Sequence, residues 1–356
     1  MVEDDFVSAL NVQAGIEQPV SVNPYLKTNP RRPKRQLTLD EYVRGIVSGN
    51  RMVLSRAITL VESVNPEHFE LAQNIIEKCL PHAGNSVRIG ITGVPGVGKS
   101  TFIESFGKML TARGKKLAVL AIDPSSERSK GSILGDKTRM EELSTDENAF
   151  IRPSPSGLTL GGVARKTRET SILCEAAGFD VIIIETVGVG QSETVVKSMV
   201  DFFLLLMISG AGDELQGIKR GIMEMADAIA ITKADGDNRT RAELAASQYR
   251  SALKLFPKNE NGWTAPVDVC SALEKYNIDL IWNFIENFVS LTKSNGWFYS
   301  NRNEQAVRIF YEWIESSVRN RFFASAEVKE AVGRLLPSVR SGLLSPYQAA
   351  AEVLSE

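Results

Sequence analysis

Eight consecutive residues carry the clearest chemical signal in the sequence: Gly93-Val94-Pro95-Gly96-Val97-Gly98-Lys99-Ser100. Glycines at this spacing let successive backbone N–H groups curl around a phosphate chain at the start of a helix. Lys99 can reach β- and γ-phosphates, and the Ser100 hydroxyl can ligate Mg²⁺. An apolar run precedes the motif and a helical pattern follows it, as such a loop requires. The sequence therefore predicts a nucleotide-binding loop that extends through Thr101, and the alternative is a glycine-rich turn between a strand and a helix.

Two later segments indicate which base the nucleotide carries. Thr232-Lys233-Ala234-Asp235 directly follows the apolar run 228–231. A carboxylate at Asp235 can accept hydrogen bonds from N1–H and the exocyclic amine of guanine, whereas adenine offers no matching pair of donors. Ser271-Ala272-Leu273 follows another apolar run and is predicted to form the last base-contacting loop. Taken alone, the four residues 232–235 favour a solvated turn after a strand. Their position after a strand and downstream of the phosphate-binding loop reverses that preference.

Three carboxylates are candidates for Mg²⁺ binding or for positioning the attacking water. Glu185 ends a buried strand and precedes Gly188, the place where a GTPase senses the γ-phosphate. Asp123 ends another predicted strand, at the edge where parallel sheets bind ligands, and Asp136 follows in a glycine-containing segment. Val189 stands where many small GTPases have the water-orienting glutamine. We therefore expect slow intrinsic hydrolysis, with the missing group supplied by rearrangement or by a partner.

Short apolar runs that alternate with amphipathic stretches predict the element order. This alternation is typical of a mainly parallel sheet flanked by helices, an α/β fold of the P-loop NTPase type. The predicted strands are Val87–Thr92, Leu117–Ile122, Val181–Glu185, Phe202–Ile208, Ala228–Thr232 and Val267–Cys270, with a weaker one near Phe150.

Helical patterns flank this sheet on both sides. We expect an extended arm over 1–37, two or three helices over 38–84, the nucleotide-binding domain over 85–296 and helices over 297–356. The last region carries apolar positions at helical spacing, among them Phe310, Trp313 and Ile314. Such a region can either complete the core or make a dimer contact.

Composition excludes several classes of function. The 41 Lys and Arg residues against 43 Asp and Glu give a net charge of −2, which provides no general basic field for nucleic acid or an anionic membrane. The three cysteines are far apart and fit reduced thiols, and the two histidines are far from any candidate nucleophile. The acidic start of the chain and apolar runs well below ~20 residues predict a cytoplasmic protein.

With these residues assembled, the sequence resembles the methylmalonyl-CoA mutase-associated GTPases, historically labelled arginine/ornithine transport ATPases or kinases. The resemblance spans roughly 87–272. The matching runs are Asp123-Pro124-Ser125-Ser126, Gly131 through Met140, Ile151 through Pro155, Gly161 through Arg165, Glu185 through Glu193, and Gly210 through Lys219.

The resemblance implies a homodimeric GTPase that binds GTP or GDP with Mg²⁺. Its implied partner is an adenosylcobalamin-dependent acyl-CoA mutase, whose cofactor loading it gates and which it protects from inactivation. The implied Mg²⁺ and catalytic set is Lys99, Ser100, Asp123, Asp136 and Glu185. The implied switch residues, which would report the nucleotide state through glycine-rich segments, are Gly188, Gln191, Asp213, Glu214 and Lys219.

The sequence departs from the family pattern at two places, and two other functions are also consistent with it. Thr232 stands where GTPases more often have Asn, and the glycines that usually follow Ser-Ala are absent after Ala272. One alternative function is an ATP-dependent kinase or ATPase of a lysine/arginine/ornithine transport system. Another is a nucleic-acid-dependent P-loop ATPase, which would need a basic groove. Neither the two histidines nor the three cysteines resemble a cobalamin ligand, so tight binding of cobalamin by the protein alone is not expected.

Overall fold

A sheet of parallel strands forms the centre of the molecule. The computed structural model describes residues 37–122, 140–153, 160–186, 192–210, 220–257 and 259–355. Its strands are β1 Val87–Gly93, β2 Leu117–Ile122, β3 Ala149–Arg152, β4 Val181–Thr186, β5 Phe202–Ile208, β6 Ala228–Thr232 and β7 Val267–Val269. They lie in the order β3-β2-β4-β1-β5-β6-β7, and every pairing among them is parallel. The predicted α/β fold is confirmed, including the weaker strand near Phe150.

Helices cover both faces of this sheet. In chain order they are α1 Leu39–Val47, α2 Arg51–Glu62, α3 Pro66–Cys79, α4 Lys99–Ala112, α5 Glu141–Ser144, α6 Leu160–Ala176, α7 Ser192–Lys197, α8 Arg220–Met225, α9 Arg239–Leu253, α10 Ile278–Ser294, α11 Trp297–Ala324, α12 Ala326–Arg340 and α13 Pro346–Leu354. Because both faces are covered, the strands are continuous apolar runs that do not alternate with polar residues. Within the described ranges, no helix is long and apolar enough to cross a bilayer.

Helices α4 and α10 pack in one hydrophobic core with the central strands of the sheet. Phe288 of α10 makes edge-on ring contacts with Phe202 of β5, Trp263 and Trp297, with centroids 5.1, 5.5 and 6.0 Å apart. Edge-to-face aromatic pairs of this kind stabilise by about 0.5–1.5 kcal/mol each beyond their buried area. The cluster ties the sheet to the start of the C-terminal helices.

The N-terminal helices pack against α6. Asn50 caps α2 by accepting the N–H groups of Met52 and Val53, and Asn65 with Pro66 starts α3 in the same way. The α2 residues Leu54 and Ile58 are buried, whereas Met52 is 74% exposed. Polar contacts fix the end of α2, because Arg152 pairs with Glu62 and Lys166 donates to the carbonyl of Ser63 at 3.2 Å.

The long helix α11 has two different halves. Near its start, Phe298 and Gln305 are buried, and the Gln305 amide donates to the carbonyl of Val200 at 2.9 Å. Farther along, Phe310 is 60% and Val318 60% exposed. The start of the helix therefore completes the core. Farther along, one face contacts the rest of the fold, since Trp313 stacks on Phe69, and another face presents apolar side chains to solvent. Beyond it, α12 and α13 share a small cluster of Val328, Ala331 and Val353.

Candidate functional site

The loop between β1 and α4 has the backbone geometry that a phosphate-binding loop needs. Gly96 and Gly98 have φ of 78° and 92°, in the left-handed region that residues with a Cβ rarely adopt. Gly93 is required for a different reason, because a Cβ there would lie 2.4 Å from the carbonyl oxygen of Leu206 on β5. The loop ends directly at Lys99, the first residue of α4, so the N–H groups at the start of that helix face the same space.

Lys99 is held by the loop itself. Its Nζ donates to the carbonyl of Gly93 at 2.8 Å and to that of Val94 at 3.4 Å. Burial lowers the pKa of Lys99, and the carboxylates of Glu185 and Glu193 counteract this shift. Its contacts to carbonyls can be exchanged for contacts to phosphate oxygens. Lys99 therefore lies beside the loop as a cation that can bind a phosphate group.

The end of β4 lies next to the start of α4. Ser100 donates to Glu185 Oε1 at 3.5 Å, so a hydroxyl and a carboxylate from two elements face each other. The neighbouring Thr186 donates to Thr92 of β1 at 2.8 Å, a fully buried contact that fixes the relative position of the two strand ends. The pair of Ser100 and Glu185 offers hard oxygen donors, the kind that Mg²⁺ takes in proteins.

The segment after β6 is joined to the phosphate-binding loop. Thr232 donates to the carbonyl of Val97 at 2.8 Å, and Lys233 Nζ donates to that of Gly96, also at 2.8 Å. Lys233 has φ of 58°, which turns its side chain back over the loop. Thr232, the first departure from the family pattern, thus braces the loop through its hydroxyl.

The segments after β6 and β7 meet at Asp235. Ser271 donates to Asp235 Oδ2 at 2.8 Å, and the N–H of Ala234 donates to the carbonyl of Cys270 at 3.1 Å. Asp235 is partly buried, while Leu273 is 76% exposed at the rim. The structure therefore brings together the predicted residues after β1, β4, β6 and β7 at one edge of the sheet.

Several predicted residues lie outside the described part of the chain. These are Asp123, Asp136, Gly188, Gln191, Asp213, Glu214 and Lys219. The three cysteines are described and are buried free thiols, and burial raises the pKa of Cys79 to about 11. This agrees with the expectation that they are reduced thiols.

Sequence reasoning did not single out several residues that shape the site. Asn238 donates to the carbonyl of Lys233 at 2.6 Å and accepts from Ser209 at 2.8 Å, which braces the loop after β6. Glu274 Oε1 accepts the N–H of Gly236 at 3.3 Å. The buried Thr92 and Thr186 pair was also missed. A polar residue at the end of an otherwise apolar strand is a usable signal for Thr186, but the contacts of Asn238 and Glu274 depend on the fold.

These features define the class of the protein: a parallel α/β nucleotide-binding protein with a phosphate-binding loop at the carboxyl edge of its sheet. The family model described as "Methylmalonyl Co-A mutase-associated GTPase MeaB" matches residues 54–327, and the chain belongs to this family. It is accordingly a GTP-hydrolysing enzyme.

Curated relatives and a solved structure agree with this assignment. The chain is 47% identical over 311 residues to GTPase ArgK of Escherichia coli, covering 87% of this chain and 94% of that one. It is 44% identical over 360 residues to the mitochondrial methylmalonic aciduria type A homolog of Mus musculus, covering 98% and 85% respectively. A crystal structure of an LAO/AO transport system kinase superposes with a TM-score of 0.73 at 40% identity, covering 91% of this chain and 99% of that one.

Proposed function

We propose that this GTPase regulates an adenosylcobalamin-dependent acyl-CoA mutase, in the first place methylmalonyl-CoA mutase. In this proposal it gates loading of the mutase cofactor and protects the mutase from inactivation. The observation that carries the proposal is the family match over residues 54–327, whose description names association with that mutase. The extended similarity to the methylmalonic aciduria type A homolog of mouse supports the same partner.

In the proposed site, the residues from Gly93 to Thr101 bind the phosphates. Backbone N–H groups of the loop and the ammonium of Lys99 take the negative charge. Thr232, Lys233, Asp235, Ser271, Ala272 and Leu273 form the proposed guanine site. Two sets of contacts support this proposal. Thr232 and Lys233 donate to carbonyls of the loop between β1 and α4, and Ser271 donates to Asp235.

Ser100 and Glu185 are the proposed Mg²⁺ ligands within the described residues, with Asp123 and Asp136 as further candidates outside them. The facing hydroxyl and carboxylate of Ser100 and Glu185 fit a hard cation that prefers oxygen. When bound, the ion supplies neutralisation of the negative charge on the β- and γ-phosphates. Glu185 either holds that ion through a water or orients the attacking water. Lys99 stabilises the charge that develops on the transferred phosphate.

The exposed half of α11 is the proposed homodimer surface. Val307, Phe310, Ile314 and Val318 recur every three or four residues and are each at least 41% exposed, which gives one apolar stripe on the helix. Exposed apolar surfaces of this kind mark interaction sites. We expect the full chain to be dimeric by light scattering and a chain carrying both Phe310→Asp and Ile314→Asp to be monomeric. A dimer that survives both substitutions would remove the stripe from the interface.

The first experiment measures GTP hydrolysis by the full chain, alone and with the adenosylcobalamin-dependent mutase of the same organism. Slow hydrolysis alone and acceleration by the mutase are expected, because the water-orienting glutamine is missing at Val189. An unchanged rate, with no complex detectable by analytical ultracentrifugation, would contradict the partner. An unrelated acyl-CoA enzyme serves as the control protein.

A base-swap experiment tests the proposed guanine site. Asp235→Asn should move preference from guanine to xanthine nucleotides, because xanthine carries a carbonyl where guanine has its amine and an asparagine amide can donate to it. Unchanged preference of Asp235→Asn for GDP over xanthosine diphosphate (XDP) would show that Asp235 does not recognise the base. ADP binding equal to GDP binding in the unaltered chain would instead favour the transport-system kinase.

A further inference from the structure

The carboxylate of Asp235 is oriented by a second loop. Ser271 Oγ donates to Asp235 Oδ2 at 2.8 Å. Ser271 Oγ also accepts the N–H of Glu274, at 3.2 Å. The position of the hydroxyl therefore depends on the conformation of residues 271–277, which we term the β7 loop. Any residue that fixes this loop also fixes the direction of the Asp235 carboxylate.

The β7 loop is a tight turn that reaches back to the loop after β6. Ser271 and Tyr276 exchange two backbone hydrogen bonds, at 3.0 and 2.9 Å, which close the turn. From within it, Glu274 Oε1 accepts the N–H of Gly236 at 3.3 Å, the residue directly after Asp235. Asp235 and Gly236 are thus both tied to the β7 loop, one through a side chain and the other through the backbone.

A second link joins the two loops at their far ends. Arg239, the first residue of α9, donates to the hydroxyl of Tyr276 at 2.6 Å, and its guanidinium carbon lies 4.2 Å from the centroid of the Tyr276 ring. A planar guanidinium stacked on an aromatic ring loses little side-chain freedom when it forms a hydrogen bond. The contact therefore holds the end of the loop after β6, where α9 begins, against the end of the β7 loop.

We propose that Glu274 and the Arg239–Tyr276 pair are positioning residues that preset the Asp235 carboxylate for guanine. The inference rests on the proposed role of Asp235 in base recognition. A carboxylate fixed in advance accepts two donors of the base without losing conformational freedom on binding, so affinity and selectivity both increase. Hypoxanthine lacks the exocyclic amine of guanine and engages one donor only. Correct orientation therefore matters more for GDP than for IDP.

The test measures dissociation constants of GDP and IDP for the full chain by titration calorimetry, together with kcat for GTP. Both contacts are largely exposed, so we expect Glu274→Ala and Tyr276→Ala each to weaken GDP binding by about 3- to 10-fold and IDP binding less. The value of kcat at saturating GTP should not change. Glu274→Gln, whose amide oxygen still accepts the N–H of Gly236, should restore GDP affinity, and Tyr276→Phe should fall between the native chain and Tyr276→Ala.

Glu243→Ala is the matched control, because Glu243 pairs with Arg239 at 3.4 Å from a position on α9 and not from the β7 loop. It should leave the ratio of GDP to IDP affinity unchanged. An unchanged ratio in both Glu274→Ala and Tyr276→Ala would overturn the inference, as would a ratio shifted equally by Glu243→Ala.

Asp235→Asn, measured in parallel, distinguishes a failure of the positioning role from a failure of the proposed base site. If it switches preference to XDP while the two alanine variants bind like the native chain, only the positioning role fails. If it leaves preference unchanged, the proposed base site fails with it.

Discussion

The two edges of the sheet use carboxylates in opposite ways. At the amino edge, Asp180, Asp201 and Asp227 each stand directly before a strand, and Asp146 stands three residues before β3. At the carboxyl edge, Glu185 is the penultimate residue of β4 and lies within reach of a serine hydroxyl, and Asp235 follows β6. The same chemical group therefore occurs at both ends of parallel strands, in different surroundings.

At the amino edge, each aspartate accepts a backbone N–H, which comes from its own turn for Asp146 and from another segment for the other three. The donors are Asn148 to Asp146 at 2.9 Å, and Lys116 to Asp180, Arg88 to Asp201 and Phe203 to Asp227, each at 2.8 Å. Three of the four also pair with a cation, namely Lys108, Arg302 or Lys197. Asp201 and Asp227 are buried, so removing a partner of either leaves a buried charge uncompensated and lowers stability.

At the carboxyl edge, the lysines donate to main-chain carbonyls. Lys99 binds the carbonyl of Gly93 and Lys233 that of Gly96. A neutral carbonyl is a weaker partner for an ammonium than a phosphate oxygen is, so these contacts can be exchanged on nucleotide binding. Substitutions at the amino edge should therefore reduce stability, whereas those at the carboxyl edge should reduce activity.

The largest effect is expected from Arg302→Ala at the amino edge. Arg302 donates to both oxygens of Asp201, at 2.7 and 2.6 Å, and to the carbonyls of Gly84 and Ser86. Its loss leaves the Asp201 side chain, 1% exposed, without its cation and detaches the start of α11. We expect the free energy of unfolding in urea to fall by about 3–5 kcal/mol. Arg308→Ala, an exposed arginine on the same helix, should change it by less than about 0.5 kcal/mol.

Lys99→Ala at the carboxyl edge should produce the reverse pattern. Removing the cation that we propose stabilises the transferred phosphate is expected to lower GTP turnover by about 10²- to 10³-fold, or about 3–4 kcal/mol in the barrier. Stability in urea should change by less than about 1 kcal/mol, since only two contacts to neutral carbonyls are lost, and the one to Val94 is long. Lys254→Ala, an exposed lysine after α9, is the control for turnover. Turnover of Lys99→Ala equal to that of this control would remove the loop from catalysis.

Acid titration of an Asp146 variant tests one of the amino-edge carboxylates. The hydrogen bond from Lys108 lowers the pKa of Asp146 from 3.8 to about 2, and those from Asn148 and Thr111 act in the same direction. Because the folded pKa is depressed, this stability is complete above 3.8 and is lost as the pH falls towards 2. Asp146→Asn should therefore lower the free energy of unfolding by about 1 kcal/mol at neutral pH and by almost nothing near pH 2.

The neighbouring Glu147→Gln is the control for that titration, because Glu147 is exposed. It should follow the native chain over the whole pH range. A difference between Asp146→Asn and the native chain that stays constant from neutral to acid pH would show that the aspartate stabilises through packing alone.

The sequence predicts the carboxyl edge far better than the amino edge. The phosphate-binding loop and the loop after β6 are local motifs, in which glycine, lysine and aspartate occur at fixed offsets after an apolar run. Every strand was likewise found where β-branched and other apolar residues cluster. The amino-edge aspartates carry no such signal, because the N–H that Asp201 accepts lies 113 residues away at Arg88.

Helical periodicity was similarly incomplete as a guide to burial. The pattern over α11 predicts a helix, and the helix is present over Trp297–Ala324. The same pattern does not say which apolar residues are covered, and the structure leaves Phe310 and Val318 exposed while Phe298 is buried. Burial depends on where the helix leaves the sheet, which is a property of the tertiary fold.

The smallest predicted effect concerns the second departure from the family pattern, the missing glycines after Ala272. The structure keeps the backbone conformation that glycine favours, since Lys275 and Asn277 have φ of 54° and 57°. Asn277 is supported there by donating to the carbonyl of Val269 at 3.0 Å. A residue with a Cβ costs about 1–2 kcal/mol in this region, partly offset by the greater freedom of glycine in the unfolded chain.

Lys275→Gly should therefore raise the free energy of unfolding by about 0.5 kcal/mol, measured in urea against the native chain. Lys275→Ala removes the same charge and side chain but keeps the Cβ, so it should not stabilise. If both variants gained equally, relief of charge repulsion and not backbone strain would explain the effect. The β7 loop lies at the carboxyl edge, but we expect Lys275→Gly to leave GTP turnover unchanged. That result would show that backbone strain at this edge is tolerated and is not needed for hydrolysis.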